Sequence, residues 1–589
     1  MKSKTQEIQI RGIPICRGIA IGKSFFFDHV QDSISEFSIT DNDLDGEVAH
    51  YRQAVTRSKE DVISLKQQLE LDGAHEGASI LEAHLQIMQD PLLTLHIEEQ
   101  IVKLKKNAEF VFYTHIEEYQ RKFSLIADPF FRERFKDLQA ISRRIMGYLR
   151  EGNRISLADI PHNSIVFAHE LAASDSAEAK VGSVSAFVTQ CGGATSHAAI
   201  VAKSKGIPYV ANVDFAPFKQ HGEKLVIVDG RTGDIVVNPN QETLAKYQRL
   251  QTQLAAHFQR LAKDGDLEPE TVDGYKVRIS ANIDMLNELD MIHQFGCSGV
   301  GLFRSEYIFL AKDRFPTEEE QVVIYKGIVE KMKGSPIVMR TFDIGGDKFS
   351  PAKKRPQEGN PFLGYRAIRF LLQERNIFKS QLRAILRSSI YGDVSIMFPM
   401  VSGLPELLEA KKIVKESYDE LLQEGIKLKQ MPRIGCMIEV PSAAIIADLL
   451  AKECDFLSIG TNDLVQYSLA VDRDNQAISW LYNPADPSVL RLIKMIVCEA
   501  NRAGIPVTVC GEVAADPRFT PLLLGLGIHE LSVSSRHIPV VKNAIRNTYI
   551  LAANHLVEKA LTMKTAQEIQ DLLSQEYQRS VPDDFFYNC

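Results

Sequence analysis

The C-terminal part of the chain alternates short apolar segments with segments of helical spacing, and this pattern constrains the fold more than any other feature. Eight apolar segments rich in β-branched residues lie at 277–283, 299–306, 336–345, 394–400, 433–440, 456–464, 506–512 and 530–535. The intervening segments place apolar residues three and four positions apart. Eight strand–helix units predict a closed (β/α)8 TIM barrel over residues 270–589. A doubly wound open sheet is the alternative.

The N-terminal part combines two other patterns, and together with the barrel they predict a multidomain α/β protein. Strand-like segments fall within residues 1–35 and 155–238 and predict a small α/β domain. Between them, residues 36–150 carry long stretches of helical periodicity, which predict a helical bundle inserted into that domain. Residues 241–265 form one polar helical segment, which we expect to link this part of the chain to the barrel.

Charge and cysteine content argue against several classes of protein. The net charge of −8 argues against a general nucleic-acid binder. The eight cysteines include no CxxC pair, so neither a zinc ribbon nor a disulfide framework is indicated. The N-terminal residues contain no apolar signal segment, and no apolar run reaches the length of a transmembrane helix. We therefore expect a cytoplasmic protein that does not insert into a membrane.

Polar residues of matched chemistry follow the predicted barrel strands, at the end where barrel active sites lie. They are Arg304, Arg340, Glu439, Asn462, Asp463, Arg473 and Cys510. The carboxylates of Glu439 and Asp463 suit Mg²⁺, which takes one or two protein carboxylates and completes its shell with other oxygens. The arginines suit phosphate and carboxylate groups, because each guanidinium offers a planar fork of donors. The Cys510 thiol can donate or accept a proton in the same space.

Taken singly, each of these residues has a simpler interpretation. An arginine or glutamate at a strand end commonly forms a surface salt bridge, and a cysteine in an apolar strand is commonly an inert buried thiol. Asp343, Lys348 and Arg366 can either join the site or anchor loops, and the sequence leaves both roles open. The whole set indicates a small anion that reacts through an enolate, a description that phosphoenolpyruvate fits.

The segment "GGATSHAAIVAKSKGIP" (192–208) supplies a candidate phosphoryl acceptor. A helix is predicted to begin after an N-cap at Thr195 or Ser196 and to end before Gly206. His197 then lies in the first turn, where backbone N–H groups and the helix dipole favour an anion. Taken alone, His197 is an ordinary polar residue, but with the barrel site it becomes a nitrogen nucleophile for the phosphoryl group. Domain movement at the linker helix would bring it to the barrel mouth.

At these residues the chain closely resembles enzyme I of the bacterial phosphoenolpyruvate-dependent sugar phosphotransferase system. The likeness covers essentially the whole chain. The segment "GGATSHAAIVAKSKGIP" resembles the phosphohistidine signature of that family. Five further segments resemble the barrel motifs of that family, and they are "DFLSIGTNDLVQYSLAVDR", "GVGLFRSEYIFL", "MRTFDIGGDK", "NPFLGYRAIR" and "IPVTVCGEVAAD".

The resemblance implies that phosphoenolpyruvate phosphorylates His197 and that the phosphoryl group then passes to the carrier protein HPr, with release of pyruvate. It implies a swivelling phosphohistidine domain, an HPr-binding helical bundle at 36–150, and a barrel that forms a homodimer. It further implies that Cys510 donates a proton and that Glu439 and Asp463 hold Mg²⁺. The residues that it implies for binding phosphoenolpyruvate are Arg304, Arg340, Asn462, Asp463 and Arg473.

Two departures from the family pattern fall near the candidate phosphoryl acceptor. Many members have threonine–proline where this chain has Ala172–Ala173, and arginine where it has Ala194. A threonine there can hydrogen-bond the active histidine, so its loss bears on the orientation and transfer rate of His197. We expect the chemistry to survive, because the helix N-terminus and its capping residues remain.

Two alternative functions and the role of one segment stay open at this point. A regulatory homologue that docks HPr with little or no activity is one alternative to an enzyme. A Mg²⁺-dependent lyase or aldolase that uses only the barrel is another, but it leaves His197 without a purpose. In "EAHLQIMQDPLL", the side chains of His84, Leu85 and Met88 form either an HPr-docking patch or part of the bundle core.

Overall fold

A computed structural model shows how these segments are arranged. It describes every residue except 1–6, 28–35, 42, 72–80, 83, 91–93, 125–128, 151–156, 158–159, 172, 180–181, 194–195, 216–223, 264, 266, 285, 290–291, 293–294, 307, 309–314, 346–359, 473–474, 476–477, 583, 585–586 and 588–589. For some helical residues, among them His197, only the backbone is described. The chain divides into two compact units, residues 1–253 and 254–588.

An eight-stranded sheet lies at the centre of the first unit. Its strands are β1 (Ile8–Arg11), β2 (Ile13–Cys16), β3 (Ile19–Phe26), β4 (Ser164–Ala168), β5 (Val184–Thr189), β6 (Tyr209–Ala211), β7 (Leu225–Asp229) and β8 (Asp234–Val237). The order is β1-β8-β7-β3-β4-β5-β6-β2, with β3 to β6 parallel and the other pairs antiparallel. The carboxyl ends of β4 and β5 meet at one edge, where the Cys191 N–H donates to the His169 carbonyl at 2.9 Å. The loops that follow these two strands therefore lie side by side.

The helices of the first unit fall mainly between the parallel neighbours β3 and β4. They are α1 (Leu44–Leu71), α2 (Leu95–Leu104), α3 (Ala108–Ser124) and α4 (Pro129–Leu149), followed after β4 by α5 (Ala173–Glu178) and after β5 by α6 (His197–Lys205). Residues 84–87 add a further helical turn. The side chains of His84, Leu85 and Met88 are buried, and both apolar ones belong to the core of these helices. Their interpretation as bundle core is confirmed, and an exposed docking patch at these residues is wrong.

A buried ion pair joins α4 to α5. Arg144 donates to Glu178 at 2.6 Å, and the two side chains are 3% and 5% exposed. We expect Arg144→Ala to lower the free energy of unfolding of the first unit by about 3–5 kcal/mol, because it removes the cation from a buried carboxylate. Urea denaturation measures the loss. Arg52→Ala removes an exposed partner of Glu98 and is the control, with an expected loss below about 1 kcal/mol. Equal losses in the two variants would contradict the prediction.

The second unit contains a closed barrel of eight parallel strands. They are β9 (Arg278–Ile283), β10 (Val300–Arg304), β11 (Ile337–Arg340), β12 (Val394–Phe398), β13 (Arg433–Ile438), β14 (Phe456–Ile459), β15 (Val507–Val509) and β16 (Glu530–Ser534). Pairing of β16 with β9 closes the barrel. Each strand lies within a segment for which the sequence predicts one. The TIM barrel is therefore confirmed, and the doubly wound open sheet is wrong.

Helices connect and surround the barrel strands. The helix α7 (Gln241–Lys263) covers most of the predicted linker and contains the boundary between the two units. The helices beyond it are α8 (Glu318–Lys331), α9 (Ile368–Gln373), α10 (Arg375–Ser388), α11 (Leu404–Gln423), α12 (Pro441–Ile445), α13 (Ala447–Ala451), α14 (Thr461–Leu469), α15 (Pro487–Ala503), α16 (Glu512–Ala515), α17 (Thr520–Gly525), α18 (Ile538–Arg546), α19 (Ile550–Thr562) and α20 (Ala566–Ser580). Within the described part of the chain, no helix combines the length and apolar character needed to cross a membrane.

Candidate active site

Arg340 provides a buried positive charge at the carboxyl end of the barrel. Its Nη2 donates to Glu306 Oε1 at 2.8 Å, and its Nη1 lies 3.5 Å from Asp343 Oδ2. Burial lowers the pKa of Arg340, but the carboxylates of Glu306, Asp343 and Glu439 outweigh burial and raise it above its ordinary value. The Nε of Arg340 is buried and donates to no described residue. A buried cation that keeps one donor unused suits an anionic substrate.

Arg366 links Asp343, which lies beside Arg340, to Asp463 at the end of another strand. Its Nη2 contacts both carboxylate oxygens of Asp343, at 3.0 and 3.1 Å. Its Nη1 reaches Asp463 Oδ1 at 3.4 Å and the hydroxyl of Tyr467 at 3.2 Å. The next residue, Ala367, has a φ of 54°, an unusual value for a residue with a side chain. The structure thus places Asp343 and Arg366 in the same cluster as Arg340, rather than in remote loops.

Glu439 follows β13 and is buried at the same end of the barrel. Its Oε1 accepts a hydrogen bond of 2.6 Å from the backbone N–H of Met400, which has a φ of 55°. Burial, followed by the charges of Asp463 and Asp343, raises the pKa of Glu439 to about 8. The backbone of Gly460 passes so close that a Cβ there would lie 2.5 Å from Glu439 Oε2. A larger residue at 460 would therefore displace this carboxylate.

The pair Glu439 and Asp463 fits a hard divalent cation. Burial is the main cause of the raised pKa of Glu439, and the charge of Asp463 adds to it, so a cation between the two side chains would stabilise the ionised form of Glu439. Among the described residues, no group of three or more histidine, cysteine, aspartate or glutamate side chains has metal-binding geometry. Mg²⁺ does not need such a group, since it takes one or two carboxylates together with water and substrate oxygens.

Cys510 follows β15 and lies inside the barrel mouth. Its Sγ accepts a hydrogen bond from Ser458 Oγ at 3.2 Å and lies 3.5 Å from the carbonyl oxygen of Ile459. Burial raises the pKa of Cys510 to about 11, although Ser458 and the nearby cations Arg340 and Arg304 lower it. The thiol is therefore protonated at neutral pH, which suits a proton donor and not a nucleophilic thiolate.

The remaining predicted site residues differ in their exposure and contacts, and two of them are not described. Arg304 ends β10 with its side chain 43% exposed, and its Nη1 lies 3.5 Å from Asp284 Oδ2. Asn462 lies in the first turn of α14, where its Oδ1 accepts from the Glu512 N–H at 2.9 Å. Arg473 and Lys348, by contrast, lie outside the described residues.

Ser196 caps the helix that begins at His197. Its Oγ accepts a hydrogen bond from the Ala199 N–H at 3.2 Å, the contact that an N-cap makes with the third helical residue. Of the two N-caps that the sequence allows, Ser196 is therefore shown to make this contact. The helix ends at Lys205, as predicted. The side chain of His197, and residues 172, 194 and 195, lie outside the described part of the chain.

Two residues of the barrel cluster are missing from the sequence-based prediction. Glu306, which bonds both Arg340 and the Asp343 N–H, lies two residues after Arg304 in the segment "GVGLFRSE". Tyr467 lies four residues after Asp463, one turn further along α14. The spacing of four places Tyr467 on the same side of α14 as Asp463, and this signal could have found it. Glu306 lies in the turn after β10, where no periodic signal applies.

Comparisons with known proteins identify the class. The model of the PEP-utilising enzyme PEP-binding domain matches residues 259–550, that of the N-terminal domain matches 11–134, and that of the mobile domain matches 160–233. These matches and the barrel site define a PEP-utilising enzyme, a metal-dependent class. A phosphoenolpyruvate-protein phosphotransferase of Staphylococcus carnosus is 37% identical over 97% of this chain and 99% of its own. The Bacillus subtilis enzyme of the same name is 37% identical over 95% of this chain and 98% of its own.

The chain belongs to the phosphoenolpyruvate-protein phosphotransferase family. A Geobacillus stearothermophilus member is 36% identical over 98% of this chain and 100% of its own length, so the similarity spans both units. The prediction of an enzyme is therefore confirmed. These matches give no support to the interpretation as a catalytically weak regulatory homologue.

Proposed function

We propose that the chain transfers the phosphoryl group of phosphoenolpyruvate first to His197 and then to the phosphocarrier protein HPr. In the first step the bond between phosphorus and the enol oxygen breaks, and a bond between phosphorus and an imidazole nitrogen forms. The enolate of pyruvate that remains takes a proton at carbon and leaves as pyruvate. The observation that carries the proposal is the cluster at the barrel mouth, where a buried arginine, two carboxylates and a protonated thiol adjoin one another.

Each group of the cluster has a proposed task in this reaction. Arg340 binds the substrate anion through its guanidinium, and Arg304, Asn462, Asp463 and Arg473 complete the binding site. The Cys510 thiol, which is protonated at neutral pH, gives its proton to the substrate carbon. Glu439 and Asp463 hold Mg²⁺, which would neutralise charge on the substrate oxygens when bound.

His197 suits the acceptor role because of its place at the start of α6. The first-turn N–H groups and the helix dipole favour a phosphoryl group there, and the helix is nine residues long. We assign residues 1–35 and 155–238 to the phosphohistidine domain, 36–150 to HPr binding, 241–265 to the linker and 270–589 to phosphoenolpyruvate binding and dimerisation. We expect this reaction to take place in the cytoplasm.

The barrel unit exposes apolar side chains that the proposed homodimer could bury. Ile445 at the end of α12 is 64% exposed, and Leu449 on α13, four residues later, is 41% exposed. Homodimers most commonly have two-fold symmetry, and the buried core of a homodimer interface is more apolar than the rest of the surface. Sedimentation velocity should show a dimer for the unaltered chain and a weakened one for Ile445→Glu. A monomer at every concentration of the unaltered chain would contradict the homodimer.

Incubation with phosphoenolpyruvate labelled at phosphorus tests the proposed acceptor. We expect acid-labile, base-stable label on the chain that forms only with Mg²⁺ and does not form when EDTA is present, since phosphohistidine and a metal-assisted transfer have these properties. His197→Ala should abolish the label. His162→Ala is the matched control, because His162 is an exposed histidine of the same unit, and it should label normally. Undiminished labelling of His197→Ala would overturn the assignment of the acceptor.

A further inference from the structure

Ser458 is a polar residue in an apolar part of the barrel interior. It lies on β14 two residues after Phe456, so the two side chains point to the same face of the strand. Phe456 belongs to a buried cluster that includes Met437 and Cys510, and Ser458 itself is 1% exposed. A hydroxyl buried among apolar side chains costs free energy unless it forms a hydrogen bond. The hydroxyl of Ser458 therefore needs a partner inside the barrel.

The thiol of Cys510 is that partner. Ser458 Oγ donates to Cys510 Sγ at 3.2 Å, and the thiol donates in turn to the carbonyl oxygen of Ile459 at 3.5 Å. The hydroxyl proton thus points at the sulfur and not away from it. A hydrogen bond of this direction becomes stronger when the acceptor carries a negative charge. The contact therefore favours a thiolate more than it favours a thiol.

The main chain of Cys510 is fixed by contacts that do not involve the side chain of Ser458. Its N–H donates to the Ile459 carbonyl at 3.1 Å, and its own carbonyl accepts from Asn282 Nδ2 at 3.0 Å. The same Nδ2 donates to the Ser532 carbonyl at 3.1 Å. Loss of the Ser458 hydroxyl should therefore leave the end of β15 in place and affect the thiol alone.

The buried position of the thiol makes support of its charged form necessary. Burial and the charge of Glu439 raise the pKa of Cys510, whereas the hydrogen bond of Ser458 and the charges of Arg340 and Arg304 lower it. Of the three groups that lower it, Ser458 is the one that the described contacts show in a hydrogen bond with the sulfur. The two arginines act on the sulfur by their charge.

We propose that Ser458 is a positioning residue for protonation of the enolate, which aims the Cys510 thiol and stabilises the thiolate that remains. This inference rests on the proposed role of Cys510 as the proton donor. In the step, the S–H bond breaks and a C–H bond forms at the methylene carbon with the electron pair of the enolate double bond. The electron pair of the S–H bond stays on sulfur, where it accepts the hydrogen bond of Ser458. Water then returns a proton to the thiolate before the next turnover.

Quenched-flow measurement on the full chain with labelled phosphoenolpyruvate and Mg²⁺ tests the proposal. Ser458→Ala should slow pyruvate release about tenfold, because the thiolate loses its hydrogen bond. Labelling of His197 should keep its rate and its dependence on the concentration of phosphoenolpyruvate, since binding and phosphoryl transfer precede the proton transfer. A merely structural loss would instead slow both steps.

Two further variants make the test specific. Ser458→Ala combined with Cys510→Ala should release pyruvate no more slowly than Cys510→Ala alone, because Ser458 acts through the thiol. Ser395→Ala is the matched control, since Ser395 is a buried serine on β12 whose hydroxyl has no hydrogen-bond partner among the described residues. It should release pyruvate at the unaltered rate.

The possible results separate this inference from the function on which it rests. Normal pyruvate release by Ser458→Ala, equal slowing of release and labelling, or a double variant slower than Cys510→Ala would overturn the positioning role and leave Cys510 as the donor. Equal slowing by Ser395→Ala would also overturn it, since any lost buried hydroxyl would then have the same effect. Normal pyruvate release by Cys510→Ala would overturn the proposed donor and this inference together.

Discussion

Substitution of Arg340 by methionine is expected to lower kcat/KM for phosphoenolpyruvate about 1,000-fold, which corresponds to roughly 4 kcal/mol of lost transition-state binding. The guanidinium is buried between Glu306 and Asp343, so no water can replace it at the substrate oxygens without reorganisation of the site. The Nε of Arg340 has no partner among the described residues, so the guanidinium is not saturated by these two carboxylates. Steady-state kinetics of pyruvate release measure the effect.

Two further variants separate binding of the substrate from support of the fold. Arg340→Lys keeps the charge beside Glu306 and Asp343 but replaces the planar fork by a point charge, so it should fold normally and still lose about 100-fold in kcat/KM. Arg375→Met, which removes an exposed partner of Glu409 on the helices outside the barrel, should keep the unaltered activity. An Arg340→Lys enzyme with unchanged kcat/KM would contradict a role for the guanidinium in substrate binding.

The second large effect on the reaction is expected when the thiol of Cys510 is removed. Cys510→Ala should slow pyruvate release about 100-fold or more, since the proton that completes the product then has no positioned donor. Labelling of His197 in a single turnover should slow far less, because cleavage of the phosphate ester precedes that proton transfer. Quenched-flow measurement of both products from one sample compares the two steps.

The pH dependence gives a separate check on this assignment. Burial raises the pKa of Cys510 to about 11, so the proton-donating form prevails below that pH and is lost only above it. Pyruvate release should therefore show no loss from this group between about pH 6 and 9, the range in which an ordinary thiol begins to ionise.

The control for the substitution of Cys510 is Cys498→Ala, which removes an exposed thiol and should release pyruvate at the rate of the unaltered chain. A Cys510→Ala enzyme that releases pyruvate at the normal rate would exclude the thiol as the donor.

The barrel could be predicted from sequence because its signal is repeated and local. Eight apolar segments alternate with helical ones, and each strand from β9 to β16 lies inside its predicted segment. The helix at His197 was also predictable, since serine before it and glycine after it are terminal signals. In both cases, neighbours in the chain determine the structure that forms.

Contacts between distant segments could not be predicted in the same way. Arg366 meets Asp463 across 97 positions, and the loop geometry that brings them together has no periodic signal. The helical periodicity around Leu85 shows that one face is apolar, but it does not show whether another helix or solvent covers that face. Tyr209 lies twenty positions beyond Thr189 in the chain, and only the order β5-β6 reveals that its hydroxyl lies beside the Thr189 hydroxyl at the end of β5.

A chase from the labelled chain to HPr tests the central claim most directly. The chain is first labelled with phosphoenolpyruvate carrying labelled phosphorus, freed of excess substrate, and then mixed with purified HPr. We expect the label to leave the unaltered chain and to appear on HPr in equal amount. The His162→Ala chain should transfer its label in the same way as the unaltered chain. The His197→Ala chain should carry no label to transfer. Label that remains on the chain in the presence of HPr, or label that reaches HPr from the His197→Ala chain, would contradict a relay through His197.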